Sequence, residues 1–366
     1  MRLGFSALED GAFFSQDAAS RQQVGNLSPD ALFRLDDLSL SGQIKLPHPW
    51  SYDISANYRG LDSLDSRSLT LANLNISIPL GAIATVTIGR QKEGVGMEML
   101  SNGRDVPFME RSVMTTAFTL VESRIAGVRF SNVIADGRLT WSAGWFNDWL
   151  SNGLSFSRSG SIFAGRVSGL PVEWDGGLLH LGAAGVYRHA QDGGFRAKSR
   201  PEVYEAPNFV DTGKFPADHA TSVGGEFAVV EGPFSVSGEY VTTNVSSQQT
   251  GNPRFDGYYV MATWSLTGET RPYRRASGTF GKVTPAAPFS FARGGLGAWE
   301  VGARYSSVDL TSGTVQGGKF DRVSGALSWF PTSQWRLDFN YGYGRLDRKG
   351  LESRTSFYQL RLQFEL

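Results

Sequence analysis

A strict period of two runs through this chain, and it restricts the available folds more than any other feature. Residues 50–59 show it in full. Trp50, Tyr52, Ile54, Ala56 and Tyr58 share one face; Ser51, Asp53, Ser55, Asn57 and Arg59 share the other. Successive side chains of a β-strand point to opposite faces, so this alternation marks a strand with one apolar and one polar side. The pattern returns at 138–145, 258–266, 299–306, 335–344 and 358–366. No stretch approaches 18 consecutive apolar residues, which excludes a membrane-crossing helix. Glycine is frequent, 44 of 366 residues, and aromatics reach 12%. Both disfavour long helices and suit twisted strands.

Two architectures share such alternation. In a soluble sandwich the apolar face looks into a core; in a membrane barrel it meets lipid and the polar face lines a lumen. The aromatics separate them. Trp50, Tyr52, Trp264, Trp299, Trp329, Trp335 and Tyr358 sit near strand ends, where a membrane interface places amphipathic rings. The expected fold is therefore all-β, a transmembrane antiparallel barrel spanning 1–366 as one domain. Sixteen strands are predicted: 2–14, 32–46, 50–60, 67–78, 83–92, 122–132, 136–147, 160–170, 177–189, 221–231, 233–246, 254–267, 297–311, 318–330, 333–346 and 355–366. Residues 195–204 go to a long loop, because a seventeenth strand breaks the even count of bacterial barrels. Connections 47–49, 133–135 and 331–332 read as short periplasmic turns; 15–31, 93–121, 148–159, 190–220 and 347–354 read as longer extracellular loops. Connection 268–296 breaks the rule, being long on the short-turn side. Residues 1–25 lack the basic start, apolar middle and cleavage site of a signal peptide. A barrel must be exported, so Met1 is expected to be an artificial or incomplete start.

Several segments resemble the phosphate- and polyphosphate-selective porin family of bacterial outer membranes. They are Ile88-Gly89-Arg90-Gln91-Lys92-Glu93, Arg104-Asp105-Val106-Pro107-Phe108-Met109-Glu110-Arg111-Ser112, Arg200-Pro201-Glu202 and Phe209-Val210-Asp211-Thr212-Gly213. Further along come Gly232-Pro233-Phe234, Glu269-Thr270-Arg271-Pro272-Tyr273, Gly281-Lys282-Val283 and Gly297-Ala298-Trp299-Glu300. The resemblance implies a sixteen-stranded outer-membrane barrel, usually a homotrimer in lipid. Long connections fold inward as constriction loops, and small anions such as phosphate or polyphosphate pass. The family's anion-binding residues do not map onto this chain one by one, so candidates come from charge placement.

Selectivity in a wide pore needs a constriction lined by one sign of charge. Segment 268–296 carries Arg271, Arg274, Arg275, Lys282 and Arg293 against Glu269 alone, and arginine's fork suits phosphate oxygens. Solvated arginines on a periplasmic turn are the alternative. Segment 90–121 is balanced: either a loop held by its own ion pairs, or a constriction whose Arg90, Lys92 and Arg104 face the passage. Arg59, with Lys45, Arg138, Arg188, Arg304, Arg322, Arg336 and Arg361, falls on the lumen face. Most are expected to pair with cross-strand acids such as Asp53, Glu300 and Asp338. Equal numbers of basic and acidic residues, 35 each, argue against a nucleic-acid partner. There is no cysteine, the four histidines lack metal-ligand spacing, and no nucleophile elbow or phosphate loop is present. The chain is therefore expected to be no enzyme and to need no cofactor. It reads as an outer-membrane porin preferring anions. A general or other-solute porin, or a loop-plugged structural barrel, remains open as the alternative.

Overall fold

The computed structural model describes residues 1–46, 48–59, 68–118, 124–147, 160–190, 193–292 and 294–366. Sixteen antiparallel strands close into a barrel in sequence order. They are β1 (Arg2–Gln16), β2 (Asp30–Ile44), β3 (Trp50–Arg59), β4 (Ser68–Leu80), β5 (Ala84–Gln91), β6 (Ile125–Ile134), β7 (Leu139–Asn147) and β8 (Ser161–Trp174). The second half comprises β9 (Gly177–His189), β10 (His219–Glu231), β11 (Phe234–Ser246), β12 (Arg254–Ser265), β13 (Ala298–Ser312), β14 (Val315–Phe330), β15 (Trp335–Arg348) and β16 (Leu351–Glu365). The seam closes by pairing β1 with β16, from Ser6 opposite Glu365 to Gln16 opposite Thr355. All sixteen predicted strands are present, and 195–204 lies in a loop as expected.

The outer wall follows the alternation. Phe339, Leu360, Leu362, Leu327 and Val260 are exposed between two aromatic bands. Trp264, Phe234 and Trp335 mark one band, and Tyr258, Tyr341, Tyr343 and Tyr358 the other. Eight residues of tilted strand separate Trp335 from Tyr343, about 20 Å of membrane normal. That matches the apolar belt of an outer-membrane barrel. Glu9 interrupts it: pairing opposite Leu362, it is exposed between the bands.

The inner wall departs from the expectation of a polar lining. Phe255, Tyr259, Val308, Leu310, Phe320, Leu346 and Phe357 face inward and are almost wholly buried. They form a core with Val113, Met114 and Phe118 from connection 92–124 and Val203, Phe209, Val210 and Phe215 from connection 190–218. Alternation fixes which side chains share a face. It cannot tell whether that face meets water or a returning loop, which is why the expectation failed here. A further correction concerns 347–354, which is no loop. The strands run on to Arg348 and restart at Leu351, leaving Lys349 and Gly350 at φ 56° and 75°. Two positive φ values define the tight hairpin turn whose twist suits antiparallel strands.

Because only glycine takes that second position without a Cβ penalty, Gly350→Val should cost about 1–2 kcal/mol. The expected readout is a lower unfolding temperature in heat-modifiable gel migration, with Lys349→Asn, which suits the turn, at or above the parent.

Candidate functional site

Three connections enter the barrel: 92–124 and 190–218 from the long-loop end, and 266–297 from the short-turn end. The first holds α2 (Met97–Leu100) and α3 (Val113–Phe118), α1 being Ala18–Val24 between β1 and β2. The third carries a small hairpin pairing Tyr273 with Phe280 and Arg274 with Thr279. Backbone entering an apolar space must find partners for its carbonyls and N–H groups, and the wall supplies them. Arg336 of β15 donates Nη1 to Val106 O at 2.9 Å and Nη2 to Pro107 O at 2.9 Å, while its Nε sits on Asp338 at 2.8 Å. Arg304 of β13 donates to Glu110 O at 3.0 Å and pairs with Glu98 and Glu202. Its guanidinium lies 4.2 Å over the Phe108 ring. Arg361 of β16 donates to Met109 O and Arg322 of β14 to Pro201 O. Arg322 lies flat because residue 342 is glycine: a Cβ there would stand 2.3 Å from Nη2. On the acceptor side, Glu239 of β11 takes the N–H groups of Met97 and Glu98 at 3.0 and 2.6 Å, capping α2.

The inserted turn is gripped in the same way. Arg166 of β8 donates to Ser277 O and Gly278 O, both at 2.8 Å, and pairs with Glu226. His180, fully buried, bridges Glu226 at 2.9 Å and the Tyr273 hydroxyl at 2.8 Å. So the charged residues expected to pair across neighbouring strands do so only in part. Arg361 does meet Asp10 across the β1–β16 seam, but Arg336 meets Asp338 of its own strand and Arg304 holds Glu98 and Glu202 of the inserted loops. Likewise the ion pairs of segment 90–121, among the described residues, run to the wall or to the inserted turn and not within the segment.

The sequence candidates are distributed over three environments. Arg271 is buried, bidentate to Glu300 at 2.6 and 2.8 Å, and donates to Asp105 O and Gly281 O. Arg274 pairs with Asp105 at 2.6 Å, Arg275 with Glu173, and Lys282 with Glu365. Arg293 lies outside the described residues, as does loop 148–159. Arg90 is buried, its Nε on Leu71 O at 3.0 Å. Lys92 donates to the carbonyls of Met99, Leu100 and Ser101 at the end of α2.

Arg59 and Arg104 both line a cavity of about 650 Å³ between the barrel wall and the inward connections 92–124 and 190–218, and Arg104 also pairs with Glu365 at 3.4 Å. Ten cationic side chains line it against four carboxylates, Asp36, Asp37, Glu110 and Glu202. Arg34, Arg59 and Arg200 gather round Tyr204, 4.8, 4.3 and 4.4 Å from its ring centroid. Arg34 is neutralised by Asp10 and Glu110 at 2.8 and 2.7 Å. No carboxylate lies within ion-pair distance of Arg59 or Arg200 among the described residues. Sequence reasoning missed Arg34 and Tyr204. Arg34 was findable, as a strand position sharing a face with Asp36; Tyr204 is positioned by loop packing.

Two carboxyls beside this cavity are held in opposite senses. Burial pushes Glu110 up, but Arg34 and Arg361 outweigh it and hold the group at about 2. That contribution is present above the ordinary carboxylate range and is lost progressively as pH falls from there through about 2. Burial first, then Asp10 and Glu110, raises Glu205 to about 7, and its Oε1 lacks a hydrogen-bond partner.

The barrel and its folded-in connections define an outer-membrane protein of the porin class. A model described as phosphate-selective porin O and P matches residues 12–366, and the chain belongs to that family. Porin O of Pseudomonas aeruginosa is 22% identical over 371 residues, covering 88% of this chain and 78% of Porin O. An uncharacterized protein of Caulobacter vibrioides is 31% identical over 277 residues, 72% of this chain. That match spans about half, 54%, of the Caulobacter protein's length. Among solved structures, an anion-selective porin from Comamonas acidovorans superposes with a TM-score of 0.59 at 14% identity, covering 99% of this chain and 98% of that one. OprB of Pseudomonas putida gives 0.60 at 11%, covering 100% and 94%. At such identities the structures show a shared fold. Family and fold point to a channel and not an enzyme, and place the chain in the bacterial outer membrane.

Two outcomes check this geometry. Arg271→Ala leaves Glu300 buried without its cation, a change that costs about 3–5 kcal/mol; Arg271→Met with Glu300→Leu should restore much of it, read by thermal unfolding in detergent. For Glu205, a folded-state value above the unfolded one means stability falls as pH rises from the ordinary carboxylate range to about 7. Glu205→Gln should therefore unfold at higher temperature than the parent at pH 8, with the difference vanishing at pH 4.

Proposed function

We propose that this chain is a passive outer-membrane channel preferring anions, with the cation-lined cavity as its selectivity site. The observation that carries the reading is the ten-to-four excess of cations, including Arg59 and Arg200 without carboxylate partners among the described residues. An anion entering there meets guanidinium forks surrounded by low-dielectric protein, where attraction is stronger than in water. Several weak contacts of one sign allow entry without trapping. Phosphate is the specific solute suggested by the family's description, and bidentate arginine contacts suit it. Arg104 belongs to this site, and Arg274, at 43% side-chain exposure, lies at its approach from the short-turn side. Arg271, Arg90 and Lys92 then act indirectly, by fixing the inserted segments. Copies of the chain would assemble in the membrane, and Glu9 marks the face they would share, since a carboxylate facing lipid is costly.

A second reading, a barrel plugged by its loops, draws on the apolar core that fills part of the lumen. Planar-bilayer recording separates the two. The expected result is open-channel current whose reversal potential in a KCl gradient reports chloride preference. Arg59→Glu with Arg200→Glu should move that potential toward potassium. Current that stays chloride-selective in this variant removes the cavity from the selectivity site, and absence of current favours the plug.

A further inference from the structure

The cavity is larger and greasier than a bare inorganic anion requires. Its volume of about 650 Å³ is room for on the order of 20 waters, and lies in the range that small organic ligands occupy. Leu8, Met109, Phe118, Ile125, Phe195 and Val203 share the wall with the cations. Water against such surface is gained back when an apolar body displaces it, and inorganic phosphate has none to offer.

The two kinds of surface are both pre-formed. Phe195 is half-buried, stacked on Phe255 at 6.3 Å and 9° and tilted against Phe215 at 5.7 Å, so its ring is fixed before any solute arrives. The Arg59 and Arg200 guanidiniums both rest on the Tyr204 ring, 4.3 and 4.4 Å from its centroid. Arg200 is further tied to the Tyr204 carbonyl. Planar guanidiniums recognise oxyanions through their edges and stack flat groups on their faces. We propose that the cavity is a subsite for organic oxyanions, with a phosphate-ester or carboxylate head on Arg59 and Arg200 and a flat apolar body against Phe195 and Phe118. This deepens the anion-channel reading and rests on it.

The test uses the full chain in planar bilayers, with chloride current titrated by inorganic phosphate, methyl phosphate and phenyl phosphate at one pH. Phenyl phosphate should half-block at a concentration about tenfold below the other two, the gain expected from burying part of a ring. Phe195→Ser should bring the three within about twofold of one another. Equal half-block by all three in the parent protein overturns the organic subsite while leaving anion preference intact; that comparison needs no variant to fold. A phenyl advantage that survives Phe195→Ser in correctly folded protein also overturns it. Reversal potentials showing no anion preference would instead overturn the reading beneath it.

Discussion

Buried guanidinium groups donating to backbone carbonyls hold this barrel's interior in place. Arg304, Arg322, Arg336 and Arg361 stand on four consecutive strands and reach the chain at Glu110, Pro201, Arg104 to Pro107 and Met109 respectively. Arg166 and Arg271 do the same for the turn inserted from the other end. Each bond solves two problems together. A loop inside a barrel exposes carbonyls away from water, and an arginine inside a barrel needs acceptors for five N–H groups. Hydrogen bonds to charged groups contribute about 1.5–3 kcal/mol each, enough in combination to order segments without much regular structure of their own.

The clamps divide the cations by task. Those matched to carbonyls and buried acids are structural, however much they look like a row of positive charge in sequence. Around the cavity, Arg59 and Arg200, without carboxylate partners among the described residues, give it its sign. This division explains how a chain of zero net charge carries a cavity lined by more cations than carboxylates: compensating acids, among them Asp10, Glu98, Glu226 and Glu300, are spent inside the wall network.

How much of this was legible beforehand follows from what sequence patterns encode. Strand alternation at 50–59 or 335–344 is local, so the strands and their order could be read directly, while the count of sixteen also drew on the family resemblance. The inward return of 92–124 was visible only through resemblance in 104–112, the stretch the wall arginines grip. Segment 268–296 stood out by length and charge, yet its position is set by Glu300, Glu226 and His180, tens to nearly a hundred residues away. Its most prominent residue, Arg271, proves to be a clamp. The Arg34, Arg59, Arg200 and Tyr204 cluster joins three separate stretches, and no spacing rule connects them. Residues 347–354 failed for a different reason: where a longer loop was expected, the strands run on to a two-residue lysine-glycine turn.

The central claim is that cavity cations meet anions while clamp cations do not. Anomalous diffraction from crystals soaked in bromide tests it most directly. The account predicts bromide peaks beside Arg59 and Arg200 and none within contact of Arg304, Arg322 or Arg336. Bromide at those three, with the cavity bare, would contradict it.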